Sequence, residues 1–261
     1  MRTRRPPSTT WVLPAASLLA SVLLWQLLAS ARPHLGLITF ANAPSPREVL
    51  DAGWALLQSP RLLFHLGHSL ARVFAGFAAA AVAGIALGLA IGRFGWARGT
   101  LLPPLEVLRP IPAVAWIPLS VLLFPSSEVS MMFITFIGAL FPILLATVHG
   151  VEGVDARLVA SARSLGARRW RVFAEVIVPG AAPAIVTGLA IGMGTCWFCL
   201  VTAEMIAGQF GIGYYTWESY TLQNYPDIVV GMLLIGVLGM GSSALVRALG
   251  RAAMPWLGAA R

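Results

Sequence analysis

Residues 150–179 read GVEGVDARLVASARSLGARRWRVFAEVIVP, the most charged interval in an otherwise apolar chain. Val151, Val154, Leu158, Ala162 and Leu165 recur at three- and four-residue spacing, which predicts a helix with one apolar stripe. Glu152, Asp155, Arg157 and Arg163 fall mostly on its other sides. Gly166 interrupts the pattern. A second run over 167–178 carries Trp170, Phe173 and Val176 on one face and ends at Pro179. The expected local structure is a short helix, a glycine-assisted turn and a second helix. Such an amphipathic pair can lie on lipid or dock into a partner's groove, and the pattern alone leaves both open.

What surrounds this interval is lipid-compatible. The chain has 261 residues, of which 58% are hydrophobic and 11% charged, with a mean hydropathy of +0.81. A soluble domain carries roughly 25% charged residues, so too little polar surface exists here to cover a fold in water. Stretches near the 20 apolar residues that a membrane crossing needs occur at 11–29, 69–91, 129–148, 182–206 and 228–249, with a shorter, proline-interrupted one at 111–124. A short helix is expected at 46–57, and 94–110 reads as a polar, proline-rich interval. The first stretch follows Arg2, Arg4 and Arg5, but it is longer than a signal peptide's apolar region and lacks a clear cleavage site, so it reads as a retained helix.

Six crossings put both termini on one side, and the arginines indicate which. With the N-terminus in the cytoplasm, Arg2, Arg4, Arg5, Arg93, Arg98, Arg109, Arg157, Arg163, Arg168, Arg169, Arg171, Arg247, Arg251 and Arg261 are cytoplasmic, whereas Arg32, Arg47, Arg61 and Arg72 are not. This is the asymmetry that the positive-inside rule describes. The net charge of +8 therefore reads as topology, because the cations form no patch interleaved with exposed aromatics of the kind that binds nucleic acid.

Several chemistries lack their residues. All 18 basic residues are arginine; with no lysine, the chain cannot supply the ammonium of a Gly-x4-Gly-Lys-Ser/Thr phosphate loop. Any ATP, with its magnesium, would be held by another chain, and no cofactor or metal is expected on this one. Cys196 and Cys199 fall in an apolar stretch, where small residues packing at a helix interface are expected. His65 and His68 are three apart but lack a third ligand nearby, so interfacial histidines are expected. No serine–histidine–acid order or His-Glu-x-x-His appears. Gly84, Gly88 and Gly92, and Gly188 and Gly192, form four-residue rows that allow close helix approach, either within the chain or between copies.

The 150–179 interval resembles the coupling ("EAA") motif of ATP-binding-cassette (ABC) importer permeases, Glu-Ala-Ala-x3-Gly-x9-Ile-x-Leu-Pro. Here Ala160-Ser161-Ala162 is followed by three residues, Gly166, nine residues, and Val176-Ile177-Val178-Pro179. The spacing is kept; the glutamate is replaced by Ala160. Further stretches resemble the nitrate/sulfonate/taurine branch of these permeases: SLARVFAG at 69–76, LRPIPAVAWIPL at 108–119, Phe141-Pro142, ARSLGA at 162–167, AEM at 203–205 and GIGYYTW at 211–217. The likeness covers roughly 65–256.

The resemblance implies an all-α polytopic membrane protein of six transmembrane helices with a cytoplasmic coupling-helix loop, as in type I ABC importer permeases. Its parts would be a tail, first helix and periplasmic loop over 1–64, a five-helix core over 65–256, and a cytoplasmic tail over 257–261. It implies a bacterial inner-membrane subunit that pairs with a second permease copy, two ATPase subunits and a periplasmic binding protein. It also implies import of a small anion by alternating access. Ala160, Ser161, Ala162, Arg163, Gly166, Ala167, Arg168, Arg169 and Pro179 would meet the ATPase. Arg72, Trp116, Trp197, Thr202 and Glu204 are candidates for the pathway or its gate, since ionisable groups within membrane segments are functional candidates. Relatives of this architecture also carry neutral or cationic vitamin precursors. The competing reading is an ion-gradient-driven secondary transporter, which would need buried carboxylates near the membrane midplane.

Overall fold

A computed structural model describes residues 9–33, 40 and 42–257. The terminal arginines used in the charge count, Arg2, Arg4, Arg5 and Arg261, lie outside the described residues, as does most of the 257–261 tail. Every regular element among the described residues is helical. In chain order these are α1 (Thr9–Ala31), α2 (Pro46–Gln58), α3 (Pro60–Arg93), α4 (Gly95–Leu108), α5 (Ile117–Leu123, after a 3₁₀ turn Ala113–Trp116) and α6 (Ser127–Glu152). After them come α7 (Ala156–Ser164), α8 (Arg169–Val172), a π-helical turn Phe173–Ile177, α9 (Val178–Ala207), α10 (Ile212–Thr221) and α11 (Tyr225–Ala252). The chain divides into two compact units, Met1–Leu62 with Tyr215–Leu233, and Leu63–Tyr214 with Leu234–Arg261.

In the smaller unit, α1 is apolar and almost wholly exposed, as a helix facing lipid should be. The expected short helix is α2. Ser45 caps it and Glu48 returns to the Ser45 N–H at 2.7 Å, a capping box with Pro46 at the first position. These hydrogen bonds from Ser45 hold the Glu48 carboxyl below its ordinary pKa.

The larger unit is organised around α6. Thr135 and Thr147 donate their hydroxyls to the carbonyls of Met131 and Ile143, at 2.5 and 2.7 Å, so both are satisfied within α6. Against this helix α3 presents Gly76, Gly84, Gly88 and Gly92, opposite Thr135, Ile143, Thr147 and Val151. The pairing rises together along both helices, so α3 and α6 run parallel. On another side of α6, Gly192, Gly188 and Ala181 of α9 meet Ile143, Ala146 and Gly150, an antiparallel pairing. α11 then runs antiparallel to α9, with Gly250 against Val186 and Ser242 against Trp197. Both glycine rows thus serve close packing inside the chain, where van der Waals contact must replace the missing hydrophobic drive between helices in lipid. Cys196 and Cys199 belong to the same packing: both are buried, Cys196 lies 3.4 Å from the Thr135 carbonyl, and Cys199 fills the space beside Gly138.

A Cβ at Gly88 would sit 2.5 Å from the Thr147 Cβ and 2.8 Å from the Leu144 carbonyl. Gly88→Val is therefore expected to lower stability by about 1–3 kcal/mol, the usual cost of overpacking. Thermal unfolding of the purified protein checks this, with Gly236→Val, where a Cβ meets nothing within 4 Å, as the control.

Parallel α3 and α6 require the chain between them to return from one end of the bundle to the other. The reading of 94–110 as a polar interval before a short span at 111–124 is corrected here. The return is made by α4 and by residues 113–123, two helical pieces bent by 84°. Pro110 and Pro112 stand in the break, where each lacks the N–H that a continuing helix would use. Five helices are individually long and apolar enough to cross a membrane, and the bent pair makes a sixth crossing. α3 begins nine residues before the expected span. At 34 residues it is about 51 Å long, well beyond the roughly 30 Å of bilayer hydrocarbon. The nine residues before the expected span lie at the end that carries His65, Ser69 and Arg72.

Candidate functional site

Two constructions stand at opposite ends of α9. At the end near Ala207, the side chain of Arg72 from α3 is 1% exposed and that of Glu204 from α9 is 0% exposed. Arg72 Nη1 donates to Glu204 Oε1 at 2.7 Å and to the Phe210 carbonyl at 2.7 Å. Its Nε donates to Glu128 Oε2 at 2.7 Å, and Nη2 donates to Glu128 Oε1, a bidentate grip on the first turn of α6. Four of the five guanidinium donors are thereby used.

Glu204 is satisfied just as fully. Ser69 Oγ donates to it at 2.8 Å, the Gly213 N–H donates to Oε2 at 2.9 Å, and Ser69 Oγ in turn accepts the Ile212 N–H at 2.9 Å. His65 Nδ1 accepts the Gly211 N–H at 3.1 Å. One guanidinium and one carboxylate thus tie α3, α6, α9 and the 208–213 turn together. Two carboxylates face one arginine, and at the 43%-exposed Glu128 side His68 Nδ1 lies 3.9 Å from Glu128 Oε1. Such a cluster holds helix ends in register.

Gly211 makes the arrangement possible. Its φ is +121°, and a Cβ there would overlap the Glu204 carboxylate. Gly211→Ala is therefore expected to prevent accumulation of folded protein. Size-exclusion profiles of the detergent-solubilised variant, compared with Gly241→Ala where the added methyl meets open space, check this.

The other candidates lie elsewhere. Trp197 is buried and its indole N–H donates to Ser242 at 2.8 Å, tying α9 to α11. Trp116 packs partly buried against the same core, and Thr202 bonds the Phe198 carbonyl within its own helix. The hydrogen bonds of Trp197 and Thr202 thus go to partners other than the Arg72 cluster. His68 stacks on Phe210 at 5.4 Å. Ser69, Glu128, Gly211 and Gly213 are members that sequence reasoning did not assign to a site. Their signals were a serine three residues before Arg72, a carboxylate in a helix first turn, and a Gly-x-Gly shortly after Glu204.

At the opposite end stands the 150–179 interval. Asp155 caps α7 by accepting the Arg157 N–H at 2.8 Å. The helix stops in a glycine-terminated turn. Gly166 has φ +81°, the Ala167 N–H reaches the Ala162 carbonyl at 3.0 Å, and the Gly166 N–H reaches Arg163 at 2.9 Å. A Cβ at Gly166 would meet nothing within 4 Å.

The expected apolar stripe is corrected in detail. Val159, Ala162 and Ala167 pack inward on Val151, Val172 and Ile177, whereas Leu158 and Leu165 are 58% and 88% exposed. In the second run Val172 and Ile177 are buried, and Trp170 is 72% exposed. Their five-residue spacing follows from the π turn, in which the Val178 N–H reaches back to the Phe173 carbonyl ahead of Pro179. Of the residues expected to meet a partner, Ala160, Ser161, Arg163, Gly166, Arg168 and Arg169 are exposed. Ala162 and Ala167 form the floor beneath them, and Pro179 opens α9.

Comparison with known proteins bears on both ends. The model of the family described as "Binding-protein-dependent transport system inner membrane component" matches residues 80–257. Over 236 residues the chain is 34% identical to the nitrate import permease protein NrtB of Synechocystis sp., covering 87% of this chain and 83% of that one. It is 33% identical to the taurine transport system permease protein TauC of Escherichia coli (strain K12), covering 99% and 94%. Among solved structures, a chain of the MetNI methionine ABC transporter in inward-facing conformations superposes with a TM-score of 0.51 at 20% identity, covering 69% of this chain and 93% of that one. The sequence matches, the helical crossings and this fold together place the chain in the family of binding-protein-dependent transport system inner membrane components.

Proposed function

We propose that this multi-pass membrane protein is the permease subunit of an importer in which a second copy completes the pathway. In this reading two ATPase subunits, holding ATP and magnesium, drive the cycle, and a periplasmic protein delivers the cargo. The observation that carries the reading is the α7–Gly166–α8 turn, a rigid, outward-facing knob at one end of the α6–α9 pair. Leu158, Ser161, Leu165 and Gly166 offer small and apolar contact surface, with Arg163, Arg168 and Arg169 around it. Exposed leucines on a short capped helix are what a groove on a partner takes up. The knob then faces the cytoplasm, as the arginine distribution also requires.

ATP binding would draw the two knobs together, and the closely packed α3–α6–α9 body would carry that motion to the Arg72–Glu204 end. There the cluster keeps the outer helix ends moving as one piece at the gate. The cargo class is a small anion such as nitrate, taurine or another sulfonate, after the substrates named for the relatives. A secondary transporter is less well supported: Glu204 is the sole buried carboxylate among the described residues, and Arg72 already neutralises it.

Purifying the tagged chain in mild detergent tests the reading. A stoichiometric partner carrying Gly-x4-Gly-Lys-Ser/Thr is expected, and a chain that purifies alone under several gentle conditions would contradict it.

A further inference from the structure

A cavity of about 440 Å³ opens between the end of α3 and the start of α8, lined by Arg93, Phe94, Arg169, Trp170 and Phe173. Its volume falls within the roughly 300–1,000 Å³ of small-ligand sites. The lining holds two cations and no acid. Neither arginine makes an ion pair among the described residues, although nearby Arg98 pairs with Glu152. Arg93 is the last residue of one long apolar helix, and Arg169 opens another long apolar stretch, Arg169–Ala207. Both arginines stand at the ends of apolar segments, from which a long guanidinium side chain can reach a headgroup.

The aromatic residues reinforce that placement. Phe94 and Trp170 are 48% and 72% exposed, and Trp96, 67% exposed, stacks near Phe94 at 6.2 Å. Arg93 lies over the Phe94 ring at 5.9 Å, and Trp170 leans on Phe173 at 5.8 Å. Tryptophan gathered at one level of a helical bundle marks the interface. Two unpaired guanidiniums within an aromatic wall match an oxyanion that carries an apolar body.

We propose that this cavity binds the phosphodiester headgroup of an anionic membrane lipid, with Arg93 and Arg169 on the phosphate oxygens and Phe94, Trp170 and Phe173 against the glycerol and upper acyl chains. Free phosphate shares the oxyanion chemistry but gives the aromatic wall nothing to contact. Because Arg169 and Trp170 adjoin the α7–α8 knob, an occupied cavity would brace the knob against the bilayer.

The test is native mass spectrometry of the full chain, with any subunits that co-purify, titrated with phosphatidylglycerol or phosphatidylcholine. The expected result is a preference for phosphatidylglycerol of about tenfold or more, set by two cations at the membrane surface. Arg93→Gln/Arg169→Gln should abolish it, each single variant should lose part of it, and Arg93→Lys/Arg169→Lys should keep much of it. Arg157→Gln, at a side chain 92% exposed, should behave as the parent. An undiminished preference in the double glutamine variant would overturn the proposal. So would complete displacement of the lipid by excess inorganic phosphate, which would make this a site for a free anion. Loss of a co-purifying ATPase with unchanged lipid preference would also overturn it, assigning the cavity to partner docking.

Discussion

A Gly166→Arg variant is expected to insert into the membrane normally, to lose its ATPase partner and to transport nothing. Gly166 sits at φ +81° with open space where a Cβ would stand, so an added side chain projects outward without disturbing the chain's own packing. The backbone cost of a non-glycine residue there is about 1–2 kcal/mol, and Gly166→Ala incurs the same cost. The two substitutions therefore separate local strain from docking. The alanine variant should keep most of its uptake, whereas arginine should weaken partner binding by about 2 kcal/mol or more, as a bulky cation does in a close-fitting contact. Leu165→Asp, at a side chain 88% exposed, should reproduce the loss with no backbone strain at all. Membrane yield, co-purified ATPase and uptake measured together decide the matter. Equal impairment by alanine and arginine would mean that the turn's shape matters and its surface does not.

Arg72→Met is expected to be the most destabilising of the charge substitutions in the buried cluster. It leaves Glu204, with a side chain 0% exposed, as a buried carboxylate without a counterion, a loss of about 3–5 kcal/mol when one partner of a buried pair is removed. Glu204→Gln keeps the shape of the side chain and leaves Arg72 its bidentate grip on Glu128, so about 1–3 kcal/mol is expected. Glu128→Gln should cost less than about 1 kcal/mol, because its carboxylate is 43% exposed and solvent screens it. Arg72→Met/Glu204→Gln removes both charges, and its loss should fall below the sum of the two single losses. Thermal unfolding of the four variants in one detergent gives the order directly. An Arg72→Met protein as stable as Glu128→Gln would show that the cluster does not hold the helix ends.

How much of this was legible in the sequence depends on the range of the interaction. The crossings followed from apolar length, and the α7–Gly166–α8 turn followed from periodicity broken by one glycine. Both are local properties. The division of the third crossing was missed because Pro103, Pro104, Pro110 and Pro112 read alike as loop signals, although the first two lie inside α4 and the second two at the bend. The buried face after Gly166 was misread because a π turn advances the spacing to five residues, which a 3.6-residue template cannot register.

The two glycine rows were recognisable, but whether they faced this chain or a second copy depended on what stood opposite, and Ile143, Ala146, Thr147 and Val151 of α6 answer that. Arg72 and Glu204 stood out as rare ionisable residues in apolar stretches. Their partnership spans 132 positions, and Ser69, Glu128 and Gly213 complete it from three further segments, a convergence that no window along the chain contains.

The most direct test of the central claim is uptake of labelled taurine and nitrate by proteoliposomes that contain this chain with its co-purified subunits and the delivering binding protein. The account predicts uptake of one such anion that requires ATP on the side of the Gly166 turn and continues after ionophores have collapsed proton and sodium gradients. Uptake that ignores ATP and stops with the ion gradient would contradict it.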